Sequence, residues 1–207
     1  MPDFLDAERH LAKADPVMRR LIRQHGSCTL IADSKRQPYE SLVRAVAHQQ
    51  LHGKAAAAIL ARFMALYPGR FPKPEAVLAT KTDKLRACGF SLSKIAAIRD
   101  IAEHTLSGVV PTLAKARKLS DDEIIERLTQ IRGVGRWTVE MLLMFHLGRP
   151  DVLPVDDFGV RNGFRIAYKL DAMPKPRALM EFGARWRPHA TVASWYLWRA
   201  ADLSKKS

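Results

Sequence analysis

The residues best suited to chemistry are Gly133-Val134-Gly135 with the following Arg136, Trp137 and Thr138, and the pair Asp156-Asp157 about twenty residues past Trp137. Two glycines in so short a connection let the backbone turn sharply and approach another molecule closely. Their amides lie at the start of the next helix, where the helix dipole and unpaired N–H groups favour an anion. The expected occupant is a phosphate. The carboxylates have two readings. One is a cap for the helix that carries Val160, Phe164 and Ile166. The other is a fixed negative charge that stabilises a developing cation or orients water. Both hold if Asp156 caps and Asp157 faces the reacting group.

These groups have to be positioned by helices. Nearly every segment has an apolar period near 3.6, and two-residue alternation is absent. Helices are predicted near 4–14, 16–25, 39–50, 54–66, 75–80, 92–107, 121–131, 136–147, 157–169, 175–184 and 189–202. Pro68-Gly69, Pro72, Pro74, Gly108, Pro111, Pro150, Pro154, Pro174 and Pro188 punctuate them. Ser120 and Glu123 have the spacing of a capping box for the helix whose stripe is Ile124, Ile125, Leu128 and Ile131. The expected fold class is all-α, with about ten short helices. The chain reads as a single domain over 1–207, divided into lobe one at about 30–117 and lobe two at about 1–29 plus 118–207. On that division the hairpin and Asp157 face lobe one across a cleft.

Composition bounds the partners. The 207 residues carry 34 Lys and Arg against 21 Asp and Glu, a formal charge of +13, and 47% are hydrophobic, enough to bury a core. Such an excess of positive charge favours a polyanion, nucleic acid first, although a ribosomal or membrane-surface partner accounts for the charge alone equally well. Cys28 and Cys88 are the two cysteines, so a four-cysteine iron–sulfur cluster is excluded and two reduced thiols are expected. The N-terminus has no signal-peptide pattern and no apolar run approaches bilayer length, which points to an intracellular protein without a membrane span.

Three ordered motifs carry a resemblance. Leu128-x-x-Ile131-x-Gly133-Val134-Gly135-x-Trp137-Thr138 resembles the hairpin of the helix-hairpin-helix superfamily of base-excision DNA glycosylases. Leu153-Pro154-Val155-Asp156-Asp157-Phe158 is similar to the aspartate segment of its alkylation-repair branch, the 3-methyladenine DNA glycosylase II family. The run from Tyr39 to Leu51 resembles the helix that precedes that family's DNA wedge. The resemblance covers roughly residues 10–202.

The resemblance implies two helical lobes flanking a DNA-binding cleft, and a glycosylase that removes alkylated purines such as 3-methyladenine and 7-methylguanine from double-stranded DNA. It implies that Gly133, Gly135, Arg136 and Thr138 hold a phosphate, and that Gln49, Gln50, Leu51 and His52 supply the wedge that fills the gap left by a flipped base. A polar helix end is the plainer reading of Gln49-Gln50. Asp157 becomes the catalytic carboxylate. Trp137, Met141 and His189 become the base pocket, with core packing the alternative for Met141 and a surface histidine the alternative for His189; Trp195 and Trp198 are assigned to the core. Relatives that also cut the backbone have lysine where this chain has Trp137, so a monofunctional hydrolase is expected.

No cofactor is required on this reading. The family hairpin implies a monovalent cation, Na+ or K+, on the backbone carbonyls of Thr129, Ile131 and Val134. The expected enzyme is a monomer, cytoplasmic and nucleoid-associated in a bacterium, nuclear in a eukaryote. The alternatives are a glycosylase for other lesions and a non-catalytic helix-hairpin-helix module.

Overall fold

The computed structural model describes residues 4–69 and 71–203. Among these it contains only helices, turns and loops, in agreement with the all-α expectation. The chain forms two compact units, one of residues 34–142 and the other of residues 1–33 with 143–207.

The contiguous unit contains α3 (Pro38–His48), α4 (Gly53–Ala65), α5 (Pro74–Ala79), α6 (Thr82–Ala87), α7 (Leu92–Leu106), α8 (Leu113–Ala116), α9 (Asp121–Leu128) and the start of α10 (Arg136–Phe145). Its middle is α7, whose Ile95, Ile98 and Ile101 are buried and which packs on α3, α5 and α6. Leu42, Val43 and Val46 of α3 and Phe63 of α4 complete the core, Phe63 meeting Tyr67, Phe71 and Phe90 edge-on. Ser91 caps α7 by accepting from the Lys94 amide. The predicted box starts α9: Ser120 Oγ accepts from the Glu123 amide and Glu123 Oε2 accepts from the Ser120 amide at 2.7 Å.

The discontinuous unit contains α1 (Leu5–Ala14), α2 (Pro16–His25), α11 (Phe158–Ala167), α12 (Pro176–Gly183), a 3-10 turn (Ala184–Trp186) and α13 (Ala190–Leu203). Leu11, Met18, Leu21, Phe164, Leu179, Trp186 and Tyr196 form its core. Two buried carboxylates are satisfied inside it. Asp15 caps α2 and accepts from Tyr168 Oη and Trp186 Nε1. Glu8 accepts from the Cys28 amide and from Tyr196 Oη. Such groups are tolerated because each carboxylate oxygen finds a donor, which for Glu8 Oε2 is Ser27 Oγ. Helices α11 and α13 approach so closely at Gly163 that a Cβ there would overlap the Leu197 carbonyl.

The differences from expectation are specific. Helices α6 and α8 were not predicted; with six and four residues they are far shorter than the roughly 11–18 residues over which an apolar period is read, and no proline opens them as Pro74 opens α5. The division expected near 118 falls at Leu142/Leu143, so the hairpin belongs to the same unit as α3 and α7 instead of facing them from a second lobe. The reason is packing: Ile124, Leu128, Ile131 and Val134 are all buried, and Gly133 lies against Ala97 of α7.

Candidate functional site

The hairpin is built by successive turns. Thr129 caps α9, Ile131 N donates to Leu128 O, and Val134 N donates to Ile131 O at 3.0 Å. Gly133 has φ +76, a left-handed conformation that a side chain resists, and a Cβ on it would come to 2.9 Å from Ala97 Cβ. Gly133, Gly135 and Arg136 are exposed. The Val139 amide donates to Gly135 O as α10 begins, so the amides just before it are those a helix N-terminus leaves for an outside acceptor. Arg136 is oriented by the buried Glu140, its Nε donating to Glu140 Oε1 at 2.9 Å. Thr138, expected beside the phosphate, is instead buried.

The loop after α3 comes to this hairpin. Gln49 Nε2 donates to Gly133 O at 2.9 Å. Lys94 Nζ donates to Ala47 O at 2.9 Å and Gln49 O at 2.8 Å. Gln50 has φ +56, in the left-handed region. Gln50, Leu51 and His52 are exposed, and Leu51, an apolar residue at 40% exposure, has the character expected of a wedge. Gln49 is a tie between loop and hairpin, not the loop's tip.

Between loop and α10 lies a cavity of about 380 Å³, lined by Ala45, His48, Gln49, Gln50, Trp137, Thr138 and Met141. The structure therefore brings together two of the three residues expected in a base pocket, with Thr138 beside them. Trp137 is 45% exposed, so its indole presents a face to this cavity instead of filling the core. The third residue, His189, is in the other unit. Its ring meets His10 edge-on at 5.2 Å and lines a separate cavity with Phe4, Leu30 and Arg149.

Asp157 is also in the discontinuous unit, on its own helix start. It caps α11, its Oδ1 accepting from the Val160 amide at 2.7 Å. Asp156, expected to cap, is exposed instead. The correction follows from helix geometry: a cap must reach the third amide of the helix, and α11 begins at Phe158. Sequence reasoning missed the second partner. Trp198 Nε1 donates to Asp157 Oδ1 at 2.8 Å, and its ring stacks on Phe145. Trp198, assigned to the core, is thus the residue that orients the carboxylate. Gly159 makes room for this: a Cβ there would lie 2.8 Å from Trp198 Cδ1 and 3.1 Å from Asp157 Oδ1. The glycine two residues after the aspartate was the available signal.

The comparisons agree with these features. The profile of the HhH-GPD superfamily base excision DNA repair protein matches residues 43–188, a span that includes the hairpin, the loop after α3 and Asp157. The chain belongs to that superfamily. Similar HhH-GPD relatives include DNA-3-methyladenine glycosylase 1 of Schizosaccharomyces pombe, 46% identical over 96% of this chain and 88% of the relative. Another is the S. pombe alkylbase DNA glycosidase-like protein mag2, 34% identical over 99% of this chain and 97% of the relative. The solved S. pombe 3-methyladenine DNA glycosylase in complex with abasic DNA superposes with a TM-score of 0.87 at 45% identity, covering 98% of this chain and 99% of that one. A DNA-3-methyladenine glycosidase from Bacillus halodurans gives 0.88 at 35% identity, covering 97% and 91%. Among the described residues no helix is long and apolar enough to cross a membrane.

Proposed function

We propose that this HhH-GPD chain is a monofunctional DNA N-glycosylase that removes alkylated purines, 3-methyladenine and 7-methylguanine among them, from double-stranded DNA in base-excision repair, and that it acts as a monomer. The observation that carries this reading is the carboxylate of Asp157, held in one orientation by Trp198 Nε1 and the Val160 amide.

Alkylated purines carry positive charge, so the base is already a good leaving group. As the glycosidic bond breaks, its electron pair goes to the base and neutralises it, and cationic character develops on the sugar. A preorganised carboxylate stabilises that cation, since it needs no reorientation when the charge appears. Water then adds to the sugar carbon and gives up a proton, for which Asp157 is the acceptor. The products are a free base and an abasic site. In this scheme Trp137 offers an electron-rich face to the cationic base and Met141 an apolar wall beside it. No amine is available at the Trp137 position for a Schiff base, which is why strand cleavage is not part of the reaction.

The remaining groups hold DNA. The Gly133 and Gly135 amides, Arg136 and the Thr138 backbone position a phosphate, which fixes register but reads no sequence. Gln50 and Leu51, with His52, fill the space left in the base stack. The same turn suits Na+ or K+. Thr129, as a helix C-cap, has a carbonyl at the end of α9, Ile131 O uses one lone pair for Val134 N, and these with Val134 O form a hard oxygen set. Such an ion would add positive charge at the phosphate; no other cofactor is proposed.

The test is base release from methylated duplex DNA by wild type and Asp157→Asn, with and without alkali. Release by wild type, strand breaks only after alkali, and loss of release in the variant are expected. Tight duplex binding with no release of either base would move the assignment to another lesion or to a non-catalytic DNA-binding protein.

A further inference from the structure

Three residues of α7, spaced three apart along one stripe of the helix, touch the two DNA-facing features of the contiguous unit. Lys94 takes the last carbonyls of α3, those of Ala47 and Gln49. Ala97 lies beneath Gly133 at the hairpin. Asp100 Oδ2 accepts from the Arg132 amide at 2.6 Å, next to the same glycine. Gln49 Nε2 closes the circuit by donating to Gly133 O.

The chemistry at each end is apt. The C-terminus of α3 carries partial negative charge on unpaired carbonyls, and an ammonium there both hydrogen-bonds and neutralises them. Partial burial draws the Lys94 pKa below its ordinary value. Two of its three donors are spent on these carbonyls, and a positioning role there needs no phosphate contact from Lys94.

We propose that Lys94 and Asp100 are positioning residues that make α7 a fixed spacer between the wedge loop and the phosphate-binding hairpin. The length of α7 from Lys94 to Asp100 sets how far the Gln50–Leu51 tip stands from the anchored phosphate, and Gln49 locks that spacing. The proposal rests on the DNA-binding reading of loop and hairpin, but not on which base is removed.

The experiment uses a duplex with 2-aminopurine beside a tetrahydrofuran abasic site, at saturating protein, together with anisotropy titrations across salt. Wild type should raise 2-aminopurine fluorescence as the loop enters the stack. Lys94→Met should bind with the same salt slope yet lose most of that rise, and Lys94→Arg, which keeps donors to both carbonyls, should recover part of it. Gln49→Leu, which removes one exposed amide donor, should show the same loss and serves if Lys94→Met lacks a cooperative thermal transition. Wild-type fluorescence in both folded variants, or no rise with wild type itself, overturns the proposal. So does a salt slope in Lys94→Met shallower by about 0.9, the change for one lost phosphate contact. Base release is measured in parallel: its absence in wild type, with the fluorescence pattern intact, sinks the glycosylase reading and leaves the spacer standing.

Discussion

The Oδ1 atom of Asp157 accepts from both the Val160 amide and the Trp198 indole, so one oxygen serves the helix and the proposed chemistry together. Asparagine caps a helix as well as aspartate does and its carbonyl oxygen accepts the same two donors. Asp157→Asn should therefore leave the melting temperature nearly unchanged while slowing base release roughly 10²–10³-fold, read by single-turnover release beside thermal unfolding. Trp198→Phe keeps an aromatic ring against Phe145 but loses the N–H. Stability should fall by about 1.5–3 kcal/mol, the worth of a hydrogen bond to a charged group, with release reduced and duplex affinity retained. His189 makes a prediction about acid. Burial first, then the neighbouring His10, lower its pKa, against the opposite pull of Asp151 and Asp6. Folding thus favours the neutral ring, so its stabilisation is complete above the ordinary value of 6.5 and is lost as pH falls below it toward the lowered folded value. Melting temperature should drop between neutrality and mild acid, and His189→Gln should flatten that drop.

At the scale of elements, two glycines set how closely segments approach. Gly163→Ala would force α11 from α13, because the new methyl has only the Leu197 carbonyl to meet; a loss of about 1–3 kcal/mol is expected in denaturant unfolding. Gly133→Val combines a left-handed φ with the Ala97 contact, and should weaken binding to damaged and undamaged duplex alike if the hairpin holds a phosphate as proposed. Helices were legible where caps and apolar period coincided, as at Ser120–Glu123 ahead of α9. The hairpin and its aspartate were legible as ordered motifs. What was not legible depends on separation along the chain: Trp198 lies 41 residues from Asp157, and Lys94 45 and 47 from the carbonyls it holds. Local periodicity has no access to such pairs. The choice between Asp156 and Asp157 as cap failed for a different reason, since it turned on a one-residue boundary.

For the molecule as a whole, a formal charge of +13 predicts binding dominated by phosphate neutralisation. If it covers the 6–10 phosphates of an ordinary duplex contact, affinity should fall about 10³–10⁵-fold between 50 and 200 mM salt; a nearly flat response in anisotropy titrations would contradict that. The division of the chain has a consequence for biosynthesis. Residues 34–142 are contiguous, whereas α1 and α2 pack on each other and on residues far later, in the 3-10 turn and α13. Domains fold as units while the chain emerges from the ribosome. The contiguous segment with the hairpin and α7 has its own core partners once it has left the exit tunnel, while the segment with Asp157 must wait until Trp198 has emerged. A nascent chain stalled between these points would carry a folded hairpin unit and no oriented carboxylate, so the proposed excision has to wait for the segment that brings in Trp198.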